Sequence, residues 1–299
     1  MHILDYEPEM DAAIAQAYNT AVEPVPHCYP VAVDQFAVEL QPALSGGQSG
    51  DGLRANRVLV GREGGEILGF VHVAVGRVRE SNRQDLGVLR FLWYAPGHRS
   101  IGQALLTAAE THLRQHEAGR IEAFCQYHIY PFYYLKPAYL SGRIGHVEAL
   151  LAFNGYSRHE GEVFLDWPNF QPLGPRLPAI PAEVSLERKE GRARLPEVIV
   201  TAHREEREIG QCVCESVGEY QGGDEAQDWV MTTHLHVEVQ SQGHGLGRHL
   251  LQTALKEAHR LGYRHAAISN AWGNDRAFLF YANYGYHVVD WTYGYARDP

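Results

Sequence analysis

Three glycines at alternate positions, Gly243, Gly245 and Gly247, stand where an apolar strand-like run gives way to an amphipathic helix-like run. The first amides of a helix have no intrahelical partners, and its dipole is positive at that end, so anions settle there. Glycines admit positive φ and let a backbone approach a phosphate without Cβ collisions. The spacing is neither G-x-G-x-x-G nor a Walker loop, and no Lys-Ser/Thr follows it, which points away from a dinucleotide fold and from an NTPase. Just upstream stand groups that move protons: His234, His236 and Glu238 in the strand-like run, and Glu219, Asp224, Glu225 and Asp228 in the loop before it. Histidine titrates in the useful range. Successive residues of a strand face opposite sides, and each histidine also reads as a surface or packing residue. The loop from Glu215 to Asp228 carries five acids and no basic residue, a composition that suits attraction of a cation or simple solvation.

The elements that must position these residues occur twice. Val58-Leu59-Val60 and Glu66 to Val71 read as a hairpin, and so do Val198-Ile199-Val200 and Glu208 to Val213. A strand, a glycine-containing loop and an amphipathic helix follow in each half: Val88 to Ala95, Pro96 to Gly102 and Ile101 to His116, then Thr232 to Val239, Gln240 to Gly247 and Leu246 to Leu261. Leu105/Leu106 and Leu250/Leu251 lie at the same distance from their loops, and Gly119 and Gly262 supply helix stops. A short strand (Ile121 to Tyr127; Ala266 to Ser269), a helix ending in Gly155-Tyr156 or Gly285-Tyr286, and a last strand complete each copy, an internal duplication. Five prolines between Trp167 and Pro181 read as a semi-rigid linker. The expected organisation is therefore a first domain over 1–166, a linker over 167–182 and a second domain over 183–299. Glu9 to Ala43 reads as two helices broken near Pro24-Val25-Pro26, whereas Glu183 to Pro196 leaves no room for both. The first copy alone carries the aromatic insertion Tyr127 to Tyr134.

Gln242-Gly243-His244-Gly245-Leu246-Gly247 resembles the acetyl-CoA loop Q/R-x-x-G-x-G/A of the GNAT acyltransferases. Downstream, Asn274, Ala277 and Tyr281 before Gly285-Tyr286 are similar to that family's N-x-x-A-x-x-x-Y-x-x-x-G-F/Y segment, at the usual separation. The resemblance implies an α/β fold with a mixed sheet, as two tandem GNAT-like domains. It implies acetyl-CoA as co-substrate, with no metal, and a cofactor site formed by Leu235, Val237, Val239, Gln242, Gly243, His244, Gly245, Leu246, Gly247, Arg248, Asn274, Ala277 and Tyr281. Val237 and Val239 would offer backbone groups to pantetheine, and amides near Val237 would polarise the thioester carbonyl. Tyr281 would protonate the departing thiolate, a task suited to a phenol of pKa ~10. His234 or Glu238 would take the proton from the amine, although family bases usually fall where this chain has Met231 or Thr233, and a water chain is a further route. In the first copy the loop Gly97 to Gly102 keeps one phosphate-facing glycine, and Leu151 stands where the second copy has Tyr281. The working site is therefore expected in the second copy.

Composition narrows the partners. The formal net charge of −10 argues against nucleic acid and suits a cationic small molecule. No apolar run approaches the ~20 residues of a membrane span, and the N-terminal residues lack the features of a secretory signal. The four cysteines show no zinc or redox spacing and read as reduced thiols of a cytoplasmic protein, monomer or homodimer. The expected activity is acetyl transfer to a primary amine of a small molecule by direct attack. Acetylation of a peptide or protein, and a non-catalytic acyl-CoA sensor, are the alternatives.

Overall fold

The computed structural model describes residues 1–45, 52–77, 85–134 and 138–298. By internal contacts the chain forms two units: Met1–Glu162 with Asp290–Pro299, and Val163–Val289.

The first unit contains β1 (His2–Asp5), α1 (Asp11–Val22), α2 (Val33–Ser45), β2 (Arg54–Glu63), β3 (Glu66–Arg77), β4 (Asp85–Tyr94), α3 (Arg99–Gln115), β5 (Ile121–Ala123), β6 (Leu140–Ser141), α4 (Gly145–Phe153) and the first part of β7 (Ser157–Trp167). Strands β1 to β4 pair antiparallel in order, and β5 joins β4 in parallel over Gly87–Leu89 only. On one face Tyr18 of α1 and Phe36 of α2 pack their rings against Phe91 and Phe70. Val60 pairs with Phe70 on that face, so its neighbour Gly61 points the other way, where Ile101 of α3 crowds it. The aromatic insertion folds into the first face: Tyr130, Phe132, Tyr133 and Tyr134 are buried, and Phe124, at φ +57, ends β5 after three residues, short of the expected Tyr127.

The second unit holds the end of β7, then β8 (Glu183–Lys189), β9 (Glu197–Arg204), β10 (Arg207–Ser216), β11 (Trp229–Val237), α5 (Leu246–Leu261), β12 (His265–Ala271), α6 (Asp275–Ala282) and the start of β13 (His287–Arg297). Strands β8 to β11 are antiparallel neighbours, and β12 pairs with β11 in parallel. Leu250, Leu251, Ala254, Leu255 and Ala258 form the fully buried stripe of α5, as their helical spacing requires, and Gly262 at φ +113 caps it. Each unit is thus a mixed sheet with helices; β8 pairs with β9 as β1 pairs with β2, and the second unit has no counterpart of α1 and α2 between those strands.

The last strands depart from the order of the repeat. Asp290–Arg297 of β13 belongs to the first unit, antiparallel to β5 and β6, while Val163–Trp167 of β7 belongs to the second, next to β12. A strand's alternation fixes which side chains are buried but not which sheet edge it completes, so the exchange is invisible in the pattern. Trp167 ends β7 rather than opening a linker. The proline-rich segment after it is irregular and fixed to the second unit: Phe170 is fully buried and its N–H donates to the Arg264 carbonyl at 3.0 Å.

Candidate active site

β11 and β12 pair only from Trp229/His265 to Thr232/Ile268 and then part. Beside the part of β11 beyond that pairing lies a cavity of about 460 Å³, lined by Leu235 and Val237, by Ser241, Gln242, Gly243, Gly245, Leu246 and Gly247 of the loop and helix start, by Arg248, and by Asn274, Arg276, Ala277, Phe280 and Tyr281 around α6. No carboxylate lines it, while two guanidiniums do. Gly245, the residue before α5, sits at φ +83 and Gly243 at φ +82, conformations that favour glycine. A Cβ at Gly243 would meet nothing within 4 Å, and one at Gly247 only Val237 Cγ2 at 3.5 Å. Packing therefore does not explain the glycines. They leave room beside the free amides of a helix N-terminus, which suits a pyrophosphate.

The loop is held by side chains that the motif contains. Gln242 donates through Nε2 to the Val237 carbonyl at 2.8 Å and accepts from Arg276 at 3.1 Å. Asn274 caps α6, its Oδ1 accepting from the Ala277 N–H at 3.2 Å. Tyr281 faces the cavity from α6 and is 6% exposed; burial raises its pKa well above that of a free phenol, so it keeps its proton across the physiological range. Its ring packs beside Phe280 and Tyr286.

Most of the residues expected to touch the cofactor line this one cavity, but Val239 and His244 do not. β11 ends at Val237, and Val239 enters a 3-10 turn with 79% of its surface exposed, so it offers no strand backbone to a ligand. His244 contributes its carbonyl to the Ala179 N–H of the proline-rich segment at 2.8 Å. The proton-acceptor candidates also separate. Cys212 pairs with Leu235, Val213 with His234, and Gln211 with His236, so both imidazoles lie on the sheet face opposite Leu235 and Val237. A bulge places Thr233 between the Val213–His234 and Cys214–Thr232 pairs, which lets Thr232 and Leu235 share the cavity-side face. Glu238 forms an ion pair with Arg207 and is absent from the cavity lining, so the geometry does not bring it to Tyr281. Three acids of the loop have partners, mostly in the segment before β9: Glu219 accepts from the Ala193 N–H and pairs with Arg192, Asp228 pairs with Arg194, and Glu215 accepts from Tyr220.

Ser241, Arg276 and Phe280 complete the lining without having been anticipated. Arg276 was visible as a cation inside the Asn274–Ala277 stretch; the other two carry no sequence signal. Cys212 and Cys214 are buried with sulfurs 3.9 Å apart, and among the described residues no group of three metal-ligating side chains exists.

The first unit shows the same place filled. With the leucine pairs aligned, Gly102 corresponds to Gly247, yet a Cβ there would lie 2.4 Å from the Tyr94 ring. Tyr94 is locked by reciprocal bonds, its hydroxyl donating to the His146 carbonyl at 3.0 Å and His146 Nε2 to the Tyr94 carbonyl at 2.8 Å. Leu151, at the place of Tyr281, is fully buried and apolar.

A model described as "Acetyltransferase (GNAT) family" matches residues 22–133, and one described as "Acetyltransferase (GNAT) domain" matches 196–288. No curated protein sequence matches the chain. Among solved structures, a tandem GNAT protein from the clavulanic acid biosynthesis pathway is similar at TM-score 0.65 and 17% identity, covering 99% of this chain and 98% of that one. A GCN5-related N-acetyltransferase from Sphaerobacter thermophilus gives 0.62 and 15%, with coverage of 99% and 95%. The glucosamine N-acetyltransferase region of a fungal multi-domain β-N-acetylglucosaminidase gives 0.66 and 14%, where the chain spans 38% of that larger protein. At these identities the structures speak for the fold, while the two family models together cover most of the chain and fall one in each half. The chain belongs to the GNAT superfamily of N-acetyltransferases and carries two of its domains in tandem.

Proposed function

We propose that the second unit transfers the acetyl group of acetyl-CoA to a primary amine of a small molecule. The observation that carries this reading is one cavity that joins an open glycine cradle at a helix N-terminus, two guanidiniums with no carboxylate beside them, and a buried phenol. The residues fit the co-substrate: amides of the Gly243–Gly247 loop and α5, with Arg248 and Arg276, suit its pyrophosphate, and the free edge of β11 suits its pantetheine arm. Bound there, acetyl-CoA supplies an acyl group activated by a thiol leaving group. Tyr281 holds its proton at the phenol oxygen until the sulfur departs. Amides of β11 beyond the pairing with β12 polarise the carbonyl. The amine approaches from the opposite face, where His234 and His236 are exposed, and His234 accepts its proton. A net charge of −10 supports a cationic acceptor. Four free cysteines and the absence, among the described residues, of any helix long and apolar enough to cross a membrane support a reaction in the cytoplasm.

The test pairs binding with turnover. Gly245→Asp and Gly245→Asn are strained alike at φ +83, and both side chains tolerate the left-handed region better than most. The Asp variant alone adds a negative charge at the cradle. Calorimetry should show CoA binding by the Asn variant and its loss in the Asp variant; equal affinities in folded variants refute the cradle. Free-CoA detection across polyamines, aminoglycosides, amino acids and peptides with free amines identifies the acceptor, and turnover confined to peptides overturns the small-molecule assignment.

A further inference from the structure

A second cavity, of about 390 Å³, adjoins the first and shares Arg248 and Phe280 with it. Its remaining walls come from Gln252 of α5, from Leu279 of α6 with Asn283 and Tyr284 just after it, and from the proline-rich segment (Leu173, Arg176). That segment is pinned where it crosses α5. The Arg176 N–H donates to Gln252 Oε1 at 2.9 Å, and the Arg176 carbonyl accepts from His249 Nδ1 at 2.9 Å. Three residues on, Ala179 bonds to the glycine loop itself. With both main-chain groups of Arg176 engaged, its side chain leaves from a fixed point on the cavity rim.

The charges there are unbalanced. Most arginines of this acidic chain sit in ion pairs, and on the same helix Glu257 takes both Arg188 and Arg260. Arg176 and Arg248 have no carboxylate partner among the described residues, and none lines the cavity. Burial pushes the Tyr284 hydroxyl up to about 12, opposed by Gln252 and by the nearby charges of Arg248 and Arg176. Phe280 and Tyr284, with ring centroids 5.5 Å apart, add flat apolar surface, and Leu173 and Leu279 add aliphatic edges. Two uncompensated guanidiniums beside aromatic faces match a phosphate monoester attached to a planar heterocycle.

We propose that the proline-rich segment completes a subsite for the nucleotide end of CoA, in which Arg176 recognises the 3′-phosphate. The inference rests on the acetyl-CoA reading of the adjoining cavity. It gives the segment a role in ligand recognition: it adds a second cation to the one that Arg248 of α5 brings to this cavity, and Arg248 at the junction serves both cavities.

Calorimetry on the full chain with CoA, 3′-dephospho-CoA and 3′,5′-ADP tests it, for the wild type, Arg176→Ala and Arg176→Lys, with thermal melts to verify folding. A charge-assisted contact predicts that the wild type binds CoA at least roughly tenfold more tightly than dephospho-CoA. That preference should collapse in Arg176→Ala and survive in part in Arg176→Lys. The nucleotide 3′,5′-ADP should compete with CoA. No preference in the wild type, or a full preference retained by folded Arg176→Ala, refutes the subsite while CoA binding itself still supports the acetyl-CoA reading. A wild type that binds no CoA overturns both.

Discussion

Tyr281→Phe removes one oxygen from the second unit, and the surroundings determine what that should cost. The ring stays packed beside Phe280, at 5.3 Å between centroids, and Tyr286, at 6.2 Å, and a phenylalanine keeps both contacts. No hydrogen bond ties the hydroxyl to another described residue, so its loss strands no buried partner. The stability change should stay within about 1 kcal/mol, the scale of one hydrogen bond to water or protein. Affinity for CoA should hardly change, because the glycine cradle and Arg248 are untouched. If the phenol protonates the departing sulfur, turnover should fall ~100-fold or more, about 2.7 kcal/mol of barrier, the lower range for losing an acid–base group. Free CoA is followed with a thiol reagent, under single-turnover conditions that make chemistry the observed step. The deficit should shrink for acyl donors with more acidic thiols, since these leave with less help. Burial raises the pKa of Tyr281, so the proton stays on at higher pH, and the wild type should show no loss of rate assignable to this group below about pH 10. A Phe variant within threefold of wild type refutes the role and leaves Tyr281 as a packing residue; equal loss of CoA affinity and turnover makes it a cofactor contact instead.

Calorimetry should return one CoA per chain, because the Tyr94 ring fills the first unit's cradle; two equivalents would contradict that reading. Removing 290–299 should destabilise the first unit, since β5 and β6 lose their antiparallel partner, and amide exchange there should rise while the second unit stays protected; unchanged protection of β5 would show the strand to be dispensable. Glu257→Gln should lower the melting temperature at neutral pH. Arg260 and Arg188 hold the Glu257 carboxyl down to about 2, so the stabilisation is complete above its unfolded value of about 4.5 and is lost as pH falls towards 2. The difference should stay within about 1 kcal/mol, since the arginines are solvent-exposed, and should vanish near pH 2; a difference that persists there would point to packing.

The glycine loop was legible because its residues answer to local constraints: positive φ at Gly243 and Gly245 and the start of a helix are written into residue types. The same holds for the buried leucines of α5 and for Asn274 as a cap. Properties set by strand pairing were not legible. Whether Thr232 shares a face with Leu235 or with His234 depends on the bulge at Thr233, and bulges leave no periodic mark. Val239 looked like the last residue of an apolar strand, but β11 stops two residues earlier, where Gln242 takes the Val237 carbonyl. Arg176 lies in a stretch whose prolines exclude regular structure while giving no sign of what the segment touches.

These differences meet at one point, the end of the central strand. In the first unit β4 runs on to Tyr94, and the ring at its end lies over Gly102 on the N-terminal turn of α3. In the second unit the corresponding residue is Val239, which turns outward, and the glycines beside it remain uncovered. Both helices have the same polarity and the same free amides at their starts, so the dipole alone does not separate an anion site from a packed helix end. What separates them is whether the strand before the loop delivers a side chain into the space the amides face. In the second unit Gln242 bridges Val237 to Arg276, which closes the loop through main chain and amide groups and leaves that space to a ligand. Duplication supplied two equivalent helix N-termini, and the residues at the ends of β4 and β11 leave only the second open.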